Sequence, residues 1–376
     1  MKKESLGLGP VVVMHNPAPS CPDDEEEPPS SAADGSVVEV ASHITRTLRG
    51  AGVDARQVCA EGDLDELLGD LVTAGVSRVF NLVESLDGDA SREAEFAERL
   101  EAVGLPYTGG RPSILRVAFA KDVARSRLEA LRVPVAAGHA VWDADGPPPP
   151  LPFPLFVKPA RADGSIGIDG GSVVYDEAAF RARVAYLLRC CGAPVLVECY
   201  LPGPELNVAI LPGPRGPRFA VTAIDFSCFP PDMPPIVTYA CKWVPGTPEY
   251  EACSRPAREM VSDATVRAAT RIAWTAFTAL GGHGYGRVDL RCDAEGAPRV
   301  IDVNPNPDLD PEAGLARAAC FEGIDYEDLI LGIAAEATAE NPHRDARKHH
   351  ARLPRLRPAA NSTRGSRAPG AAAAER

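Results

Sequence analysis

The sequence predicts an α/β (α+β) protein, with an N-terminal doubly wound parallel-sheet domain followed by two α+β subdomains. Two observations support this fold class. Short β-rich runs alternate with helically spaced segments over about the first 110 residues, as in a parallel sheet covered by helices. Further along, residues 284–304 predict two antiparallel strands joined by a short turn. At roughly 150 residues per domain, a chain of 376 residues is long enough for two or three compact units.

The N-terminal domain is predicted over residues 1–112. Its first strand lies in PVVVMHN (10–16), where a run of β-branched residues is typical of a buried strand. Residues 17–36 have no apolar periodicity and predict an exposed loop. The elements that follow are a helix over 37–50, a strand in 53–59, a helix over 63–73, a strand in 77–85 and a helix over 90–103.

Two further units and a tail complete the predicted organisation. The central subdomain, 113–201, contains a helix over 121–133, a rigid proline-rich connection at 147–152, a strand in 151–160, a helix near 177–190 and a strand in 193–201. The C-terminal subdomain, 202–338, contains a proline-rich loop at 226–246, a helix over 257–280 and the two strands of 284–304. Residues 339–376 are basic and poor in apolar residues, which predicts a disordered tail; a binding role is the alternative.

Composition and charge narrow the function classes. A net charge of −13 argues against nucleic acid as a partner. The chain has no run of roughly 18 apolar residues, so no membrane span is expected, and the apolar run at its start is too short for a signal peptide. The ten cysteines form no CxxC pair, which predicts reduced, mostly buried thiols in a cytoplasmic protein.

Four polar side chains share one face of the two strands predicted in 284–304. If the turn is centred between residues 295 and 296, Asp289 lies opposite Asp302 and Arg287 lies opposite Asn304. The core face then receives the alternating apolar residues, which are Val288, Leu290, Ile301 and Val303.

This pattern indicates a metal and phosphate site. Like charges on facing positions destabilise a bare sheet, whereas two carboxylates and an amide oxygen suit Mg²⁺. An arginine on the same face suits a phosphate or a developing oxyanion. The alternative is a solvated outer face of a hairpin with incidental charges.

Two other segments predict a nucleotide site. In VKPARADGSIGIDGG (157–171), a lysine at a strand end precedes a glycine-rich loop whose backbone N–H groups can approach phosphates, although a flexible turn explains the glycines equally well. The P-loop pattern GxxxxGK[ST] is absent. Glu198 ends a predicted strand and Glu205 follows a turn, so either could bind an adenine amino group or ribose hydroxyls; surface glutamates are the alternative.

From residue 77 to 330, the order of these segments resembles the ATP-grasp superfamily, in particular the D-alanine–D-alanine ligase-like group. The matching segments are FNLVES, GLPYTGG, PLFVKPARADGSIGI, VLVECYLPGPELNVAIL, YACKW, GYGRVDLRCD and VIDVNPNPDL. The resemblance implies two subdomains that clasp ATP, with Mg²⁺ (Mn²⁺ as the alternative) as the metal. It also implies small-molecule carboxylate and amine substrates and, as in many members, a homodimer.

The resemblance also implies roles for individual residues. ATP would be bound by Lys121, Lys158, the phosphate loop 161–167 with Ser165, the hinge Glu198, Cys199 and Leu201, and the ribose-binding Glu205. The metal ligands would be Asp289, Asp302 and Asn304, with Asp302 where the family usually has glutamate. Lys242 would reach the γ-phosphate, and Arg287 would stabilise the tetrahedral intermediate of an amide-forming reaction that proceeds through an acyl phosphate.

Several positions depart from the D-alanine-specific pattern. The glycine-rich turn after the first strand, with its substrate-binding glutamate, is missing. The other departures are Glu84, Gly164, Asp308 and Ala313, which replace a histidine, a serine, a glycine and a serine of the family. We therefore expect an ATP-dependent carboxylate–amine ligase for which a different amino acid, a peptide or a secondary-metabolite carboxylate is at least as plausible a substrate as D-alanine. The charges of Glu84 and Asp308 predict a cationic or amine-bearing group in the acceptor pocket. The alternatives are a nucleotide-binding pseudoenzyme, a regulatory protein, or a phosphotransferase that releases the acyl phosphate.

Overall fold

The computed structural model describes residues 7–17 and 31–337, and these form three β-sheets. The first sheet is parallel, with strand order β2-β1-β3. Its strands are β1 (Val11–His15), β2 (Ala55–Cys59) and β3 (Arg78–Leu82), and its helices are α1 (Ser31–Gly50), α2 (Leu64–Thr73) and α3 (Glu93–Val103). Helices cover both faces, because Val11 and Val13 pack in the same core as α1, whereas Val12 and Met14 pack with α2 and α3. The predicted doubly wound arrangement is confirmed.

The second sheet is antiparallel, with strand order β4-β7-β5-β6. Two helices precede it, α4 (Pro112–Phe119) and α5 (Lys121–Ala130); its strands are β4 (Gly138–Val141), β5 (Leu155–Pro159), β6 (Val173–Val174) and β7 (Val195–Cys199), with α6 (Glu177–Cys190) before β7. The side chain of Asp176 accepts a 2.8 Å hydrogen bond from Ala179 N and so caps α6. Phe180, Val184 and Leu187 of α6 pack on β5 and β7, which gives this sheet a core of its own.

The third sheet has five antiparallel strands in the order β10-β9-β8-β11-β12. These are β8 (Glu205–Leu211), β9 (Arg218–Asp225), β10 (Cys253–Pro256), β11 (Gly286–Cys292) and β12 (Pro298–Asn304); the helices are α7 (Ala240–Trp243), α8 (Asp263–Ala279), α9 (Gly314–Phe321) and α10 (Tyr326–Ala335). Phe277 and Ala273 of α8 pack with Val208 and Leu290, so this helix covers one face of the sheet. The polar side chains of β8, β11 and β12 therefore lie on the opposite face.

One hydrophobic core joins the first and third sheets. It contains Ile44 of α1 and Phe80 of β3 together with Leu315 of α9 and Ile330 of α10. The Arg78 guanidinium adds one bond across this contact, to the Ala334 carbonyl of α10 (2.8 Å), and a second bond to the Leu8 carbonyl just before β1 (2.9 Å). Each of the three predicted domains contains one sheet, and their ranges are 1–112, 113–201 and 202–338. The domain boundaries themselves stay a prediction.

Some sequence-based expectations need correction. Helix α1 begins at residue 31 instead of 37, and α8 begins at 263 instead of 257, after a short 3₁₀ turn at Ala257–Glu259. Strands β4, β8, β9 and β10 were not predicted, and the proline-rich loop contains α7. Of the nine cysteines in the described part, all are free but only Cys292 is buried, so the expectation of mostly buried thiols is wrong. The predicted tail lies outside the described residues.

In the described part of the chain, none of the helices is both long enough and apolar enough to cross a membrane.

Candidate active site

The β11–β12 hairpin has the predicted register at its functional end. Arg287 pairs with Asn304 and Asp289 pairs with Asp302, so all four side chains share one face. A bulge then shifts the register, and Leu290 pairs with Val300 instead of Ile301. Val300 is consequently the buried core residue at 4% exposure, and the expectation that Ile301 points to the core is wrong.

The Asp289 carboxylate is surrounded by donors. Arg287 donates to both of its oxygens, from Nε to Oδ1 at 2.7 Å and from Nη2 to Oδ2 at 2.9 Å. Asn207 Nδ2 donates to Oδ1 at 2.8 Å, and Asn304 Nδ2 donates to Oδ2 at 3.1 Å. Burial, the largest single influence, would lower the pKa of Arg287, but the charge and hydrogen bonds of Asp289 together with the charges of Asp302 and Asp308 raise it. The arginine predicted to stabilise an oxyanion thus forms a bidentate pair with a predicted metal ligand.

The facing carboxylate, Asp302, has a different cation beside it. Its Oδ2 lies 3.3 Å from Lys121 Nζ, and its Oδ1 accepts a 3.0 Å bond from Val303 N. Burial would raise the pKa of Asp302, yet the charges of Lys121 and Lys158, with the hydrogen bonds from Val303 and Lys121, together lower it. The side chain is therefore held in the anionic form that a metal ion requires.

The donor set on this face is compatible with Mg²⁺. Two carboxylates, Asp289 and Asp302, and the amide of Asn304 supply hard oxygens from one hairpin. In the described part of the chain, no group of three or more His, Cys, Asp or Glu side chains is placed to enclose a metal ion. Bound Mg²⁺ characteristically keeps water and substrate phosphates as its other ligands, and the residues present suit that open form of coordination.

Both lysines predicted to contact phosphate lie close to this hairpin. Lys158 Nζ is 3.0 Å from Glu198 Oε2 and donates to the Ile301 carbonyl at 3.0 Å. Lys121 Nζ is 2.7 Å from Asp163 Oδ1, in the predicted phosphate loop, in addition to its contact with Asp302. Helix α5 and strand β5 thus bring two cations to the carboxylate face of the hairpin.

The predicted phosphate loop has an unusual backbone. Gly164 and Ser165 both have φ of +63°, and for serine this left-handed conformation is uncommon and tends to mark functional segments. The loop is tied to α7, because Trp243 Nε1 donates to the Gly164 carbonyl at 2.9 Å and Tyr239 N donates to the Ile168 carbonyl at 2.8 Å. Lys242 lies between these two contacts in sequence.

Lys242 interacts electrostatically with charged residues of the hairpin. Its pKa is lowered, first by burial of the ammonium and then by repulsion from Arg287, while Asp289 and Asp302 act in the opposite direction. The residue as a whole is exposed to solvent. The two predicted catalytic residues, Lys242 and Arg287, therefore influence each other through their charges.

The predicted hinge and the predicted ribose-binding Glu205 both have hydrogen-bond or ion-pair partners within the protein. Glu205 is 8% exposed, and its Oε2 lies 3.0 Å from Arg291 Nη1, while Arg291 Nε donates to the Leu201 carbonyl. Burial raises the pKa of Glu205; Arg291 opposes this and Asp289 adds to it. The N–H of Cys199 donates to the Ala137 carbonyl at 2.8 Å, so this hinge group already has a protein partner.

An acidic region adjoins the hairpin on the side of the N-terminal sheet. The Glu93 carboxylate accepts a bond from Asn306 Nδ2, and its pKa is raised well above the ordinary value by burial, with further increases from the charges of Glu84 and Asp163. The pKa of Asp308 is also raised by burial. Ala313, at the position of the family's serine, precedes the first turn of α9.

Sequence reasoning missed four residues of this site, namely Glu93, Asn207, Trp243 and Arg291. A simple period-two extension would have found two of them, because Asn207 lies two positions after Glu205 and Arg291 two positions after Asp289. Trp243 is adjacent to Lys242, but its partner Gly164 is 79 positions away. No local signal distinguishes Glu93 from the other acidic residues of α3.

The chain is similar to several known proteins. A family model described as the D-ala D-ala ligase C-terminus matches residues 149–334. The chain is 32% identical over 299 residues to the D-alanine–D-alanine ligase of Stutzerimonas stutzeri, covering 77% of this chain and 86% of that protein. It is 30% identical over 307 residues to that of Pseudomonas putida, covering 79% and 86%. The ATP complex of a Bacillus anthracis D-alanine–D-alanine ligase superposes with a TM-score of 0.64 at 16% identity, covering 86% and 96% of the two chains, a likeness that shows the fold.

Proposed function

The chain belongs to the D-alanine–D-alanine ligase family of ATP-grasp proteins, ATP-dependent ligases that form C–N bonds, and on that premise we propose that it joins a carboxylate to an amine through an acyl phosphate. ADP and phosphate are the other products. The observation that carries the proposal is the hairpin face, where Asp289 lies opposite Asp302 and Lys121 contacts Asp302 at 3.3 Å. Anionic oxygens beside a lysine are the arrangement that phosphoryl transfer from ATP needs.

The protein residues have separable roles in this reaction. Lys121, Lys158 and Lys242 neutralise the phosphate charges of ATP and hold the γ-phosphate next to the attacking carboxylate. Mg²⁺, held by Asp289, Asp302 and Asn304, supplies further charge neutralisation on the phosphate oxygens when it is bound. The strained phosphate loop excludes water from the acyl phosphate.

Arg287 acts in the second step, when the amine attacks the acyl phosphate. The carbonyl oxygen then becomes an oxyanion, and a guanidinium on the same face can donate to it. In the structure this guanidinium is bonded to Asp289. We therefore propose that Arg287 turns from the carboxylate to the substrate oxygen during the reaction.

The substrate we propose carries a cationic group. The relatives are named D-alanine–D-alanine ligases, but in this chain the charge of Glu84 acts on the buried Glu93, and Asp308 interacts with Arg287 and Lys242. An ammonium or guanidinium substrate group would offset the negative charges of Glu84 and Asp308. Glu84→Gln is expected to raise KM for cationic substrates about tenfold or more with less change for neutral ones; equal kinetics with both classes would remove the support for this substrate class.

Phosphate release tests the ligase function. Purified protein with ATP and Mg²⁺ is assayed against a panel of amino acids and dipeptides, including D-alanine and cationic amino acids, with Asp302→Asn as the control. Release that needs an acid–amine pair and disappears in the variant supports the ligase, and mass spectrometry of the amide identifies the pair. A stable acyl phosphate without amide would instead favour a phosphotransferase, and ATP binding without turnover on any pair would favour a pseudoenzyme or regulatory protein.

A further inference from the structure

Arg291 is a buried arginine at the centre of the proposed nucleotide site. It is 4% exposed, and its guanidinium makes four polar contacts. Nη1 pairs with Glu205 Oε2 at 3.0 Å, and Nε donates to the Leu201 carbonyl. Nη2 donates to the Pro235 carbonyl at 2.7 Å and lies 3.3 Å from the Tyr200 hydroxyl.

These partners come from three separate parts of the site. Glu205 lies directly opposite Arg291 in the β8–β11 pairing. Tyr200 and Leu201 follow β7 and form the hinge, and the guanidinium also lies 5.3 Å from the centre of the Tyr200 ring. Pro235 belongs to the loop that leads into α7. The planar guanidinium of Arg291 thus connects the ribose-binding Glu205, the hinge and the loop before Lys242.

A buried carboxylate has its charge and orientation set by its nearest cation. Burial raises the pKa of Glu205, and Arg291 is the largest influence opposing it. The salt bridge also fixes which oxygen of Glu205 is occupied, Oε2 by Arg291. The other oxygen is thereby oriented to accept hydrogen bonds from a ligand.

We propose that Arg291 is a positioning residue for ribose recognition: it holds Glu205 and the hinge in the geometry that binds the hydroxyls of the nucleotide sugar. This inference rests on the proposed function, since Glu205 is the ribose-binding residue only if the chain binds ATP in the cleft. Arg291 itself need not touch the nucleotide. Its influence passes through Glu205 and Leu201.

The test compares binding of ATP and 2′,3′-dideoxy-ATP, which lacks both sugar hydroxyls, by calorimetry with Mg²⁺. The intact chain is expected to prefer ATP by about tenfold or more, the worth of a hydrogen bond to a charged group. Arg291→Lys keeps the charge but cannot reach three acceptors at once, so it should lose most of that preference. Glu205→Gln should lose it as well, and combining the two substitutions should reduce the preference no further, because both act on one interaction.

Arg255→Met is the matched control. Arg255 pairs with Asp225 at 2.7 Å on the edge strand β10, and its loss should leave the preference unchanged. Arg291→Met combined with Glu205→Gln provides a second variant in which no buried carboxylate lacks a counterion, for use if Arg291→Lys alone fails to fold.

The outcomes separate this inference from the proposed function. If Arg291→Lys weakens both nucleotides equally and keeps the full preference for ATP, the residue only stabilises the fold and the inference is overturned. If the unaltered chain binds both nucleotides equally, the ribose role of Glu205 and the role of Arg291 fail together, while phosphate release can still support the ligase. If it binds neither nucleotide, the proposed function itself fails.

Discussion

At the scale of single residues, the Lys158–Glu198 pair is the most deeply buried ion pair of the site. Its two side chains are 6% and 4% exposed, with Nζ and Oε2 3.0 Å apart. Removing one partner of such a pair leaves an uncompensated buried charge, which costs about 3–5 kcal/mol. Glu198→Gln is therefore expected to lower the free energy of unfolding by about that amount, as measured by urea denaturation.

An exposed pair provides the control for this prediction. Arg181 and Glu177 lie 2.7 Å apart on α6 with side chains 38% and 56% exposed. Glu177→Gln should change the free energy of unfolding by less than about 0.5 kcal/mol, because solvent screens the pair. Equal effects of Glu198→Gln and Glu177→Gln would contradict the argument from burial.

Glu93 is expected to make the stability of the protein depend on pH. Its pKa is raised well above the ordinary value of 4.5, chiefly by burial; the bond from Asn306 opposes this, and the charges of Glu84 and Asp163 add to it. Above the ordinary pKa the unfolded chain has released this proton while the folded protein still holds it. The stabilisation that this proton provides is therefore fully present below the ordinary, unfolded pKa. It is lost as the pH rises through the folded pKa, by at most about 1.4 kcal/mol per pH unit.

Glu93→Gln removes this titration and keeps an acceptor for Asn306. The free energy of unfolding of the variant, relative to the unaltered chain, should rise as the pH increases above the ordinary pKa of 4.5, as followed by urea denaturation at each pH. Glu66→Gln, at an exposed position of α2, is the control and should give a constant difference. A constant difference for Glu93→Gln as well would show that the carboxyl ionises normally in the folded protein.

At the scale of secondary-structure elements, the start of β11 depends on a missing side chain. A Cβ on Gly286 would lie 2.5 Å and 2.7 Å from two ring carbons of Phe277, which is fully buried. Gly286→Ala should therefore force the ring or the strand to move and lower the free energy of unfolding by about 1–3 kcal/mol. Because Arg287 is the next residue, activity should fall in the same variant.

Replacing a glycine in an uncrowded part of a helix should instead stabilise the protein. Gly69 of α2 has no atom within 4 Å of an added Cβ. Gly69→Ala should stabilise the protein by about 0.5–1 kcal/mol through helix propensity. Thermal unfolding of the two variants measures the contrast, and destabilisation by both would indicate that α2 is packed more tightly than the structure has it.

The bond between Trp243 and the phosphate loop should control the exposure of that loop. Trp243→Phe removes the 2.9 Å hydrogen bond to the Gly164 carbonyl while keeping an aromatic ring. Backbone amides of residues 161–171 should then exchange hydrogen several-fold faster, because a typical bond contributes about 1 kcal/mol. Trp142→Phe is the control, because Trp142 is 62% exposed and its replacement should leave the exchange unchanged. Faster exchange in both variants would show that the hydrogen bond from Trp243 does not specifically protect the phosphate loop.

How much of the site is predictable from sequence depends on how far its contacts reach. The pairs Arg287–Asn304 and Asp289–Asp302 follow from a period of two and one short turn, and the structure confirms them. The bulge after Asp289 has no comparable signal, so the predicted core position shifted from Ile301 to Val300. Strands such as β8 were missed because an apolar run between turns is equally compatible with other buried segments.

At the scale of the whole molecule, the described chain has separate cores that should respond separately to perturbation. Ile333 of α10 is fully buried in the core that also contains α1, β1 and β3. Ile333→Ala should therefore reduce the protection of β1 amides from hydrogen exchange, although β1 lies some 320 positions earlier in the chain. The loss of buried side chain is expected to cost about 2–5 kcal/mol.

Phe180 tests the other half of this argument. It is 1% exposed in the core formed by α6, β5 and β7, which contains no residue of the first sheet. Phe180→Ala, at a similar cost of about 3–5 kcal/mol, should accelerate exchange in β5 and β7 more than in β1. Mass spectrometry of peptides from both regions gives the comparison. Equal acceleration of β1 and β5 in both variants would mean that the described chain unfolds as one cooperative unit.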